Sequence, residues 1–177
     1  MKDLQATVRG MICFQETQDF VAPRSIVQDV WNRIEPQNDW LSFDVYLMSH
    51  IFYVFEFDSA ATNIVRIADY IARYDDLNAN PKLRVSFLLN VLTFYRHHNR
   101  IVEAEKYADE AITIAGPFIL HRLVAQYRKA EIMYLKGHKE KAMEDANFVF
   151  ECLKTMRLNA IYDDLLIDWE QTLNMDK

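Results

Sequence analysis

Sliding the segment 123–153 back by 38 residues lays it on 85–115, with Ala142 on Ala104, Ala146 on Ala108 and the turn residue Gly137 on Asn99. A fainter copy lies 43 residues before the second, placing Ala61 under Ala104, Ala68 under Ala111, Ser49 under Leu92, and Ile51 and Phe52 under Phe94 and Tyr95. Self-similarity at this period marks a stack of helical hairpins, each unable to bury its apolar face alone. Such stacks hold peptides or proteins on a concave surface more often than they carry out chemistry.

Within each hairpin two helices cross closely, so small residues belong at the crossing and bulk belongs opposite it. Ala104, Ala108, Ala142 and Ala146 supply the first. Phe94, Tyr95, Ile132 and Met133 supply the second. Asn99 and Gly137 suit the left-handed conformation of the turn between them. The expected fold is therefore all-α: about nine helices as stacked antiparallel hairpins in a right-handed superhelix, forming one domain over residues 1–177. Hairpins are expected near 40–74, 82–115 and 118–156, followed by a capping or dimerisation helix at 160–173.

Upstream, Leu4, Val8, Met11, Ile12 and Phe14 recur at helical spacing, and a second helix runs from Pro23 to Pro36. Residues 40–55 are apolar on nearly every side and predict one helix buried in the middle of a bundle. Asp58 and Ser59 are placed to cap the helix that follows. The polar stretch 75–80 reads as a mobile connection, and Gly116-Pro117 as a stop between hairpins.

Glycine and proline number only 3 and 4 in 177 residues, which suits long helices. A net charge of −6 and a pI near 5.3 disfavour direct attraction to nucleic acid, since phosphate binding needs a cationic surface. Cys13 and Cys152 stand alone in apolar patterns and read as small hydrophobes in a reducing compartment. The first residues lack the apolar core of a signal peptide, and 45–57 is too short and interrupted to span a bilayer, so the cytoplasm is expected.

Signals for catalysis are poor. Asp163, Asp164 and Asp168 could share a magnesium ion, yet no partner carboxylates or basic phosphate clamp accompany them, and a solvated acidic face explains them better. Asp75 and Asp76 read the same way. His97, His98, His121 and His138 lack the spacing of a zinc site. No phosphate loop, nucleophile elbow or triad is present. Neither a catalytic residue, a metal nor a cofactor is expected, and a magnesium-dependent helical enzyme is a distant third reading.

The hairpins resemble the tetratricopeptide repeat, whose period is about 34 residues, although the longer spacings and the missing tryptophan-leucine-glycine start mark elongated copies. The stretch DWLSFDVYLMSHIFYVFEFD, a helix, a proline-bearing loop and then RVSFLLNVLTFY together resemble the C-terminal domain of Rgg/GadR/MutR transcriptional regulators, over roughly Ile26 to Leu173. That resemblance implies a homodimer that receives a short hydrophobic signalling peptide, as in quorum sensing. It also implies DNA contact only through a separate helix-turn-helix domain, for which no basic candidate precedes residue 20. The alternative is a constitutive tetratricopeptide-like scaffold for a protein partner.

Registering the copies names a groove along the first helix of each hairpin. It would be lined by Tyr46, His50 and Tyr53; by Leu89, Asn90, Thr93, Arg96 and His97; and by Tyr127, Arg128, Glu131 and Tyr134. Tyrosine offers contact area at low entropy cost, and an asparagine can pair with both the N–H and C=O of a peptide. Each also has a plainer reading: His50 as a hydrogen-bonded core histidine, Asn90 as an internal cap, Tyr127, Glu131 and Tyr134 as a solvated helix side. Ile161, Leu165, Trp169 and Leu173 form a terminal stripe expected to meet a second subunit, or equally to cap the stack.

Overall fold

A computed structural model describes residues 1–17, 19–74 and 79–174. The expected mobile connection at 75–80, with Asp75 and Asp76, lies for the most part outside the described residues. The described residues are all-helical. The elements are α1 (Lys2–Thr17), α2 (Val21–Ile34), α3 (Ser42–Ser49), a 3₁₀ turn (Phe52–Val54), α4 (Phe57–Arg73), α5 (Pro81–His97), α6 (Ile101–Ala115), α7 (Ile119–Leu135), α8 (Lys139–Thr155) and α9 (Asn159–Asn174). No helix among them is long and apolar enough to cross a membrane. The chain divides into two compact units, Met1–Val91 and Leu92–Lys177.

In the N-terminal unit, α1 packs along α2. Sequence spacing points to Leu4, Val8, Met11 and Ile12 as the inner face of α1, but the structure turns them outward, at 38, 45, 37 and 50 % exposure. The inner face is built instead from small residues. Thr7 and Gly10 are buried, and a Cβ on Gly10 would come within 2.5 Å of the Val27 side chain. Close approach of the two backbones, which only a glycine permits here, decides which way the helix faces.

The apolar run 40–55 is not one helix. Ser49 donates to the Tyr46 carbonyl at 2.7 Å and His50 Nδ1 lies 2.8 Å from the same oxygen, so the acceptor that the next helical N–H needs is taken by side chains. The His50 and Ile51 N–H groups bond three residues back, to Leu47 and Met48, and a 3₁₀ turn follows. Trp40 lies outside α3 and is wholly buried. Its indole N–H donates to the Ile34 carbonyl at 2.8 Å, Tyr70 stacks on it, and the Arg66 guanidinium sits 3.9 Å over its ring. Arg66 also donates to the carbonyls of Glu35, Gln37 and Asn38, closing the end of α2. No side chain caps α4, whose first turn contains Asp58 and Ser59. The fainter repeat copy also shifts by one residue, since Ala60 is wholly buried while Ala61 is half-buried and Ala68 exposed.

In the C-terminal unit α7 and α8 form the tightest pair, with α6 on α7 and α9 against both α8 and α7. Ala104, Ala108, Ala111, Ala142 and Ala146 are completely buried at the crossings, as their spacing predicts. Asn99 and Gly137 have φ of 56° and 90°, and Arg157, at 57°, makes a third such turn that its residue type conceals. Each turn closes with the same pair of bonds: Arg100 to Tyr95 and Asn99 to Arg96, His138 to Met133 and Gly137 to Tyr134, Leu158 to Leu153 and Arg157 to Lys154. These are Schellman caps, which satisfy the last helix carbonyls while reversing the chain.

The terminal stripe is spent inside this unit. Leu165 and Trp169 are buried, Ile161 and Leu173 pack against the same core, and Trp169 meets Tyr127 and Tyr134 edge-on. The residues expected at a subunit contact therefore cap the α7–α8 hairpin.

Candidate functional site

The groove residues fall into two sets, one in each unit. In the N-terminal unit the structure brings Tyr46, His50 and Asn90 together around Ser49. Tyr46 is 39 % exposed and lies 4.6 Å from the His50 ring. Asn90, on α5, donates its side-chain amide to the Ser49 carbonyl at 3.1 Å, tying α5 to the end of α3. This is the internal cap that a half-buried asparagine requires, and it uses only one of the two amide hydrogens. Among the described residues, nothing bonds the Asn90 carbonyl oxygen.

Burial lowers the His50 pKa, an effect partly opposed by its bond to the Tyr46 carbonyl. The ring is thus neutral at physiological pH. Since a carbonyl can only accept, that bond places the proton on Nδ1 and makes Nε2 an acceptor; the tautomer follows from the hydrogen-bond pattern. Leu89 is half-buried beside Asn90. Tyr53 faces elsewhere, with its ring 5.1 Å from Phe14 of α1, and burial pushes its hydroxyl up to about 12.

In the C-terminal unit, Arg96, Tyr127, Arg128 and Glu131 converge, but as an interior network. Glu131 and Tyr127 are wholly buried, so neither forms the solvated side of α7 nor lines an open surface. Glu131 accepts from Arg128 at 2.7 Å, from the Tyr127 hydroxyl at 3.0 Å and from Thr172 at 3.2 Å, and Arg96 lies 3.5 Å away. Arg128 also donates to Asp168 at 2.7 Å. Two cations and two anions cancel there, which is how a protein tolerates charge out of water.

Asp168 and Thr172 are the members the sequence conceals. Asp168 reads as part of an acidic face, yet it falls one residue before the buried Trp169 and so lies at the edge of the packed stripe, where α9 meets α7. The network shifts its own titrations. Burial disfavours the charge on Arg128, but the Glu131 and Asp168 carboxylates more than offset this and raise its pKa; burial first, then Glu131, raises that of Tyr127. His97 is pulled down to about 4, by the surrounding protein and then by Arg96 and Arg128, although more than a third of its own surface meets solvent. The Arg96 Nε–H is buried without a hydrogen-bond acceptor. Thr93 and Tyr134 are half-buried.

Among the described residues no group of three or more histidines, cysteines or carboxylates is arranged to hold a metal ion. Asp163 and Asp164 are exposed, whereas Asp168 is engaged by Arg128.

No family model and no curated protein matches the chain. Among solved structures, the crystal structure of a "putative transcriptional regulator" from Listeria monocytogenes EGD-e is similar in fold. It matches with a TM-score of 0.72 and 19 % identity, over 86 % of this chain and 53 % of that one. The chain thus spans about half the length of that regulator.

Proposed function

We propose that the chain is the ligand-sensing and dimerisation domain of an Rgg-type bacterial transcriptional regulator, receiving a short hydrophobic signalling peptide in the cytoplasm. DNA would be contacted by a helix-turn-helix domain outside this chain. The fold likeness to the Listeria protein supports a domain of regulator type. The observation that carries the peptide reading is the set formed by Tyr46, His50 and Asn90. An aromatic face lies beside a neutral imidazole acceptor and an amide that keeps one donor and its oxygen for a ligand. Those are the groups that bind an extended peptide backbone, one N–H and one C=O at a time.

The interior charge network has a different part. It fixes α5, α7 and α9 by side-chain bonds that a purely apolar core would not direct. To test the function, the full chain is incubated with secreted peptide fractions, separated by size exclusion, and the co-eluting peptides are read by mass spectrometry. One short apolar peptide should be retained stoichiometrically. Retention of a folded protein partner with no peptide would favour the scaffold instead.

A further inference from the structure

Four consecutive residues after the break in α3 grip three other helices of the N-terminal unit. The Phe52 ring meets Phe87 of α5 edge-on at 5.8 Å, and Tyr53 meets Phe14 of α1 edge-on at 5.1 Å. The Val54 carbonyl accepts from Arg24 Nε of α2 at 2.6 Å, while Phe55 stacks on Trp31, also of α2, at 3.8 Å. Whatever sets the path of the chain at Ser49 therefore sets the hold on α1, α2 and α5.

Three side chains set that path. The Ser49 hydroxyl donates to the Tyr46 carbonyl at 2.7 Å, and His50 Nδ1 lies 2.9 and 2.8 Å from those two oxygens. With the hydroxyl hydrogen spent on the carbonyl, both neighbours of Nδ1 are acceptors, which fixes its proton there. Asn90 takes the Ser49 carbonyl. A helix running on through this apolar segment would need the Tyr46 carbonyl for the His50 N–H and the Ser49 carbonyl for the Tyr53 N–H. The broken and the continuous helix thus compete for the same two acceptors. Only the broken one aims His50 Nε2 as an acceptor and holds the Asn90 amide beside it.

We propose that occupancy of the peptide site is coupled to α1 through this turn: a peptide bonded to His50 and Asn90 holds α3 broken and so clamps Tyr53 on Phe14. The inference rests on the peptide reading above for its ligand and on the clasp around Ser49 for its mechanism. A ligand shifts an equilibrium only by its difference in affinity between the two states. Geometry supplies that difference, since the groups the ligand needs are presented together in one state alone. Ser49, wholly buried, touches no ligand and acts as a positioning residue.

Hydrogen exchange of the full chain, read by mass spectrometry, tests the coupling in two arms. Without ligand, Asn90→Ala loosens the clasp and should speed exchange in α1 by about threefold or more, with α4 nearly unchanged. Ser49→Ala, which removes the hydroxyl alone, should act in the same direction and takes its place if circular dichroism shows Asn90→Ala to be misfolded. Phe14→Leu should speed α1 as well, and the double variant should be no faster than Phe14→Leu alone. Additive effects, or an α1 indifferent to loosening of the clasp, would overturn the coupling. In the second arm the peptide that co-elutes from secreted fractions is added. α1 of the wild type should then exchange more slowly, and Phe14→Leu should bind the peptide yet lose that protection. A peptide that binds and leaves α1 unprotected would overturn the coupling while the site stands. Retention of no peptide would remove the peptide reading, and the ligand-free arm alone would then uphold or overturn the link between clasp and α1.

Discussion

Arg128 and Glu131, three residues apart on α7, hold each other at 2.7 Å with both side chains almost entirely out of water. Glu131 gathers donors from Tyr127, Arg128 and Thr172, and Arg128 passes its remaining bond to Asp168. Removing one member of such a set leaves the others buried and unpaired, which costs about 3–5 kcal/mol. Glu131→Ala should therefore lower the stability of the C-terminal unit by about that much in urea melts. A triple change of Arg96, Arg128 and Glu131 to apolar residues of similar volume should recover much of the loss. If Glu131→Ala melts like the wild type, the network is not structural.

His97 makes stability depend on pH. Above about 6.5 the histidine is neutral whether the chain is folded or not, and it contributes no dependence. As pH falls from 6.5 towards 4 the unfolded chain takes up a proton that the folded chain refuses, so stability declines across that window and the decline from this residue ends near pH 4. Because the residue is more than a third exposed, screening holds the effect to about 1 kcal/mol. His97→Gln should flatten that part of the stability curve, and an NMR titration of the wild-type imidazole should show no midpoint above pH 6.

Gly10→Ala should loosen the N-terminal hairpin. A methyl group placed 2.5 Å from Val27 Cγ1 forces α1 away from α2, and overpacking of this kind costs about 1–3 kcal/mol even though alanine favours the helix. Hydrogen exchange should speed up in α1 and α2, and Val27→Ala should partly reverse it.

Trp169→Ala tests the use of the terminal stripe. With Trp169 enclosed by Tyr127, Tyr134 and Leu165, the truncation should cost about 3–5 kcal/mol. The oligomeric state, measured by sedimentation at a temperature where the variant stays folded, should not change. A shift from dimer to monomer would return the stripe to a subunit contact.

The helical architecture was legible because one signal repeats. Alanines at crossing points and left-handed turn residues recur at a fixed offset, and these depend on local geometry alone. What stayed hidden depends on neighbours distant in sequence. The outward turn of α1 is set by Gly10 against Val27, and the break after Ser49 by two side chains competing for one carbonyl. Neither leaves a mark in hydrophobic periodicity.

The groove residues show the same division. Tyr46, His50 and Asn90 do gather, each through a hydrogen bond with Ser49 where α3 ends. Tyr127 and Glu131 share the repeat register yet are wholly buried, because α9 supplies Asp168 and Thr172. The repeat has no equivalent of α9, so register alone could not place them.

Calorimetry with the peptide recovered from secreted fractions tests the central claim most directly. The wild-type chain should bind it with saturable one-to-one stoichiometry, and Asn90→Ala should bind it about tenfold more weakly, a loss of about 1.4 kcal/mol. Equal affinity of the wild type and Asn90→Ala, or heat that never saturates, would contradict a peptide site built on Tyr46, His50 and Asn90.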